Sequence, residues 1–197
     1  MTVEMALFDF VPVTLFAAAA ILQQTYFFSR MGKGQFALFS GGTIMIIVGG
    51  LFKSSWKLLY ALSVCDFQRL NMAFFPMQAT GFLMAGIAMD CFLLFRKKEV
   101  CLSAAVPPLF SGTVLFVPAM VFGTFSLCLG LSVEAARCGR KVLRILFAMA
   151  FLFLLAMGYL SAKDFTDPMM NWLGQGVNTA GQACLLAGTI LLVQKDF

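Results

Sequence analysis

GGTIMIIVGGLFKSSWKLLYAL (Gly41–Leu62) sets four glycines in an apolar run and follows them with Lys53, two serines, Trp56 and Lys57. Glycine weakens a helix in water, and an ammonium group is costly in hydrocarbon. Both fit a helix that crosses a bilayer among other helices. At about 100° per residue, Gly42, Gly49 and Lys53 fall nearly on one line, with Gly50 and Lys57 on the adjoining strip. Small residues on one face let a neighbouring backbone approach closely. This face therefore meets protein rather than lipid, and Lys53 starts from the interior. From there it has two destinations. It can snorkel to the headgroup layer with Lys57, or it can reach an internal polar cavity. Trp56 and Tyr60 suit the aromatic belt of an interface.

The rest of the chain agrees with a bilayer. It is 61% hydrophobic, with a mean hydropathy of +0.92 and only 12% charged residues, where a soluble domain carries about 25%. The 23 Phe and 13 Met are read as packing and lipid-facing residues. A net charge of +5 raises the question of nucleic acid, but the basic residues fall in short clusters between apolar runs, as membrane flanks do. No nucleic-acid partner is expected. Histidine is absent, which removes the commonest metal ligand and general base. The six cysteines form no C-x-x-C pair and read as free thiols. The first residues, MTVEMALFDFVPVTLFAAAA, imitate a secretion signal but carry no basic n-region, so a retained first span is expected.

A span needs roughly 20 predominantly apolar residues. Six such runs occur, at about 7–28, 36–58, 72–95, 108–131, 142–162 and 176–194. In lipid every backbone amide must be paired internally, so these runs are helices. The expected fold is all-α: a polytopic membrane protein with six transmembrane helices in one bundle, and 1–197 as a single domain. Prolines at 107, 108 and 118 mark 101–131 as a loop leading into one kinked helix. With six spans, basic residues divide eight to six between the two sides, which leans toward cytoplasmic termini in a plasma (inner) membrane.

A faint internal repeat is visible. SRMGKG (29–34) parallels ARCGRK (136–141), and TGFLMAGIA (80–88) parallels QACLLAGTI (182–190). Halves at 1–100 and 101–197 would each hold three spans. Three is odd, so the second half is expected to be inverted, an arrangement common in transporters.

Polar side chains at membrane depth are the candidates for function. Gln175, Asn178, Gln182 and Thr189 fall within about 60° of one another on the last helix. They read as interhelical amide bonds or as the lining of a cavity. An antiparallel second and third span brings Gln78 level with Lys53, giving a donor-rich site for an anion or carbonyl. Asp90, at the other end of the third span, is the candidate ion or proton site, or a structural ion pair with the basic loops there. Gln23 and Gln24 are expected at the interface.

No residue set for hydrolysis is evident, and no P-loop, zinc or G-x-S-x-G motif. No catalytic residue, metal or cofactor is assigned. In span count and length alone the chain resembles the substrate-binding subunits of energy-coupling-factor vitamin transporters, a resemblance that carries no motif. The expected function is binding or transport of a small polar solute within the bundle. Ligand-binding residues would be Gln175, Asn178, Gln182, Lys53 and Gln78. The alternatives are an assembly subunit that pairs with a partner membrane protein or with itself, and a lipid-modifying enzyme. The enzyme would need two or more of Asp66, Asp90, Asp164 and Lys53 to converge.

Overall fold

A computed structural model describes residues 2–95, 113–161 and 168–194. The elements among the described residues are all helices: α1 Val3–Phe8, α2 Phe10–Phe28, α3 Lys33–Ala61, α4 Gln68–Phe95, α5 Thr113–Arg137, α6 Lys141–Ser161 and α7 Pro168–Val193. Helices α1 and α2 together make one segment of spanning length, Val3–Phe28, broken at Asp9. Pro12 has no N–H to offer the Phe8 carbonyl, so the helical ladder is interrupted there. Six segments are long and apolar enough to cross a membrane. Outward-facing side chains such as Ile21, Phe122, Ile145 and Leu152 are more than half exposed. A belt of this kind suits acyl chains and is rare on a soluble monomer.

The six long helices close a ring in chain order, with α7 returning to α2. Their directions follow from the contacts. Let α2 run from a near end to a far end. Then α3 returns, because Thr43 meets Gln24, Gly50 meets Val13 and Ser54 meets the Asp9 carbonyl. Helix α4 runs outward again, since Gly42 lies against Gly81, and Gln35 donates to the Cys91 carbonyl.

The opening glycines serve these crossings. A Cβ on Gly42 would stand 2.6 Å from the Gly81 carbonyl oxygen, so α3 and α4 touch backbone to backbone. Gly49 faces Met77 and Gln78, and Gly50 faces Val13 of α2.

Helix α5 runs parallel to α4. Gly123 lies on the backbone of Phe82 and Leu83, and seven residues later Gly130 lies on Met89. Helix α6 then returns and α7 runs outward: Gly181 packs on Phe153, Gly188 on Phe147, and Gln23 donates to Thr189. Phe95 and Thr113 thus stand at opposite ends of the bundle.

This parallel pair corrects two expectations. The triplets α2–α4 and α5–α7 run in the same sense, so they are co-directional rather than inverted. Helix α2 begins at the near end and α7 finishes at the far end, so the two ends of the described chain lie on opposite sides rather than together. Both expectations assumed that α4 and α5 were antiparallel, as one short connection would make them. The proline-bearing segment expected to lead into the fifth span lies largely outside the described residues.

The paired turns SRMGKG and ARCGRK do share the far end. Gly139 takes φ +70° there, and the Arg140 N–H reaches back to the Ala135 carbonyl, closing α5. Gly32 instead precedes α3 at φ −67°, with its N–H held by Gln35 Oε1. The two turns are therefore not conformationally equivalent.

Packing is densest toward the far end. Phe27 meets Phe39 and Phe92 edge-on at 5.5 and 5.4 Å, and Leu131, Phe147 and Leu192 are buried at the same level. The near-end half is less filled.

Candidate functional site

A cavity of about 920 Å³ occupies the near-end half. This lies within the roughly 300–1,000 Å³ of typical ligand pockets. It reaches from Thr2, Trp56 and Trp172 at the near end down to Ile46, Phe82 and Gln182. All six long helices contribute to its wall.

Lys53, Gln78, Gln175, Asn178 and Gln182 all line this one cavity. They come from α3, α4 and α7, and each arrives by helical period. Gln175, Asn178 and Gln182 are spaced three and four residues apart, so one face of α7 carries all three over about 10 Å of rise. Gln175 and Gln182 are buried, and the side-chain carbonyl oxygen of each accepts no hydrogen bond. Thr189, on the same stripe, is placed differently. It lies below the cavity and accepts a 3.0 Å bond from Gln23 Nε2, while its own hydroxyl donates to the Leu185 carbonyl. The stripe thus divides into cavity lining and interhelical glue.

Gln78 donates to the Ile46 carbonyl at 3.5 Å, a long bond to α3, and not to any group of Lys53. Lys53 lies with its Nζ 4.2 Å from the centre of the Phe74 ring and 5.8 Å from that of Phe75. The lysines therefore do not share one snorkelling fate. Lys57 is buried and pairs with Asp9, Nζ to Oδ2 at 2.5 Å. Ser54 ties the same corner by donating to the Asp9 carbonyl. Asp9 is a site residue outside the sequence-derived set. Its signal in the sequence is a carboxylate inside an apolar run, which at membrane depth implies a partner.

Asp90 is half-buried near the far end of α4 and stands apart from the cavity. Asp66 is exposed and accepts bonds from Trp56 Nε1 and Gln68 Nε2. Some 22 residues of α4, about 33 Å of helix, separate Gln68 from Asp90, so Asp66 and Asp90 do not converge. Asp164 lies outside the described residues. Gln23 and Gln24 are not interfacial anchors: Gln23 is buried on Thr189, and Gln24 donates to Thr43 at 2.8 Å. Each amide finds a threonine hydroxyl on a facing helix, Thr189 of α7 for Gln23 and Thr43 of α3 for Gln24.

No group of three or more metal-ligating side chains occurs among the described residues. Cys65, Cys91, Cys128 and Cys184 are free thiols, and of these Cys65 is exposed. Comparison of the chain with protein-family models, with curated proteins and with solved structures finds no match.

Proposed function

We propose that this protein sits in a plasma (inner) membrane and binds a small polar solute in the near-end cavity, as a binding or transport subunit. The observation that carries the reading is the convergence of five polar side chains from α3, α4 and α7 on one cavity. Polar groups at that depth are costly unless they serve one another or a solute. Gln175 and Gln182 retain unused acceptors. The Phe27–Phe39–Phe92 cluster fills the opposite end, so the cavity is approached from one side.

A thermal-shift screen of polar metabolites against the purified protein tests this. Ligands should stabilise the wild type and lose that effect in Asn178→Leu/Gln182→Leu. A screen without hits, or hits unchanged in the double variant, would remove the site.

The near end faces away from the cytoplasm. Arg30, Lys33, Arg137, Arg140, Lys141 and Arg144 share the far end, whereas Arg69 is the one described basic residue at the near end outside the cavity. With co-directional halves the basic turns add on one side instead of cancelling, and cytoplasmic flanks carry the excess of Lys and Arg. Exposed Cys65, in the turn after α3, should therefore react with a membrane-impermeant maleimide in intact cells, and Cys65→Ser should lose that labelling. Labelling that appears only after permeabilisation would reverse the orientation.

A further inference from the structure

We propose, resting on the solute-binding reading above, that the cavity takes a monoanion with an apolar body, its negative group paired with Lys53. Among the described lining residues the charged groups are Asp9, Lys53 and Lys57, one carboxylate against two ammonium groups. Asp9 and Lys57 close on each other. Lys53 then stands with no carboxylate within ion-pair distance among the described residues. It is one helical turn deeper than Lys57 on the same side of α3. The rings of Phe74 and Phe75 hold its ammonium by cation–π attraction. Ring faces orient a cation but do not neutralise it, and an uncompensated charge at this depth is expensive.

The valence follows from that count. A cation would be repelled by Lys53. A dianion would bring one charge more than the site offsets. A neutral solute would leave the ammonium uncompensated. The shape follows from the walls: Phe74 and Phe75 lie against the ammonium, and Phe82, Phe151 and Trp172 add apolar surface elsewhere in the same cavity. Hydrogen-bond donors on the ligand would meet Gln175 and Gln182. Their orphaned carbonyl oxygens lie on amides whose terminal torsion is soft, so they can turn toward an N–H or O–H. A carboxylate with this character reaches the site either from water or from the bilayer, as a fatty acid.

The test uses the full-length protein in phosphatidylcholine nanodiscs. Its probes are N-acetyl-L-phenylalanine and the corresponding carboxamide, which has the same body without the charge, and binding is measured by calorimetry. The acid should bind about ten- to a hundredfold more tightly than the amide, the range expected for a charge-assisted contact. Lys53→Gln should abolish that preference, while Lys53→Arg and the exposed-residue control Arg69→Gln should keep it. Oleate that displaces the acid in a Lys53-dependent manner identifies the bilayer as the source of the anion, and failure to displace it identifies water. Equal binding of acid and amide, both lost in Asn178→Leu/Gln182→Leu, would overturn the anion while sparing the cavity. If acid, amide and oleate all fail to bind, the solute-binding reading falls as well.

Discussion

Asp9→Asn should destabilise the protein by about 3 kcal/mol, and adding Lys57→Met should restore most of that loss. The side chains are 5% and 10% exposed and 2.5 Å apart, so each is the other's compensation for lost water. Removing the carboxylate leaves two ammonium groups, Lys53 and Lys57, one turn apart on α3 with nothing opposite them. Both press on the same cavity. Lys57→Met alone should cost less, because Lys53 remains nearby to offset Asp9. The double variant replaces a desolvated ion pair with a neutral amide and an apolar chain of similar length. Such replacements are often neutral, because the pair's attraction only roughly offsets its desolvation. Thermal unfolding of the four proteins in one detergent measures the coupling as a double-mutant cycle. Losses that simply add would show that the pair does not exist.

The same pair illustrates what a sequence shows and what it hides. Six apolar runs were readable because each is a local property, and the six spanning segments coincide with them to within about eight residues at either end. The glycine line of α3 was readable for the same reason. Period alone turns Gly42, Gly49 and Gly50 toward neighbours, and they do meet α4 and α2. Period also aligned Gln175, Asn178 and Gln182, and aimed Lys53 inward. It could not say which groups stand opposite. Asp9 finds Lys57 only because α3 folds back along α1 and α2, and Thr189 finds Gln23 only because α7 closes the ring. These are properties of helix order and direction, and no repeat in the sequence states them. The direction of α5 is hidden in the same way, and the inverted halves and the shared side of the termini both require α5 to run antiparallel to α4.

That direction depends on one crossing, and Gly123→Ala should damage it. A methyl group at Gly123 would stand 2.3 Å from the carbonyl carbon and oxygen of Phe82 and 2.5 Å from the amide nitrogen of Leu83. These are backbone atoms of a helix and cannot step aside singly. A Cβ on Gly86 would likewise stand 2.7 Å from the Gly123 carbonyl oxygen, so the two backbones are already in contact and the whole of α4 must move away from α5 to admit one carbon. Overpacking typically costs 1–3 kcal/mol, and a clash with rigid backbone belongs at the upper limit, about 3 kcal/mol. Gly176→Ala is the matched control. It lies within α7 with no atom of a neighbouring helix within 4 Å of the added carbon, and the better helix propensity of alanine should leave stability unchanged or raised by up to about 1 kcal/mol. Unfolding temperatures of both variants in the same detergent make the comparison. Phe82 and Thr124 line the cavity beside this crossing, so Gly123→Ala should also weaken any ligand that Asn178→Leu/Gln182→Leu abolishes. A Gly123→Ala protein as stable as the wild type would mean that α4 and α5 do not meet here. The parallel pair would then be lost, the basic turns would again fall on opposite sides, and the outward-facing cavity would have no support from charge.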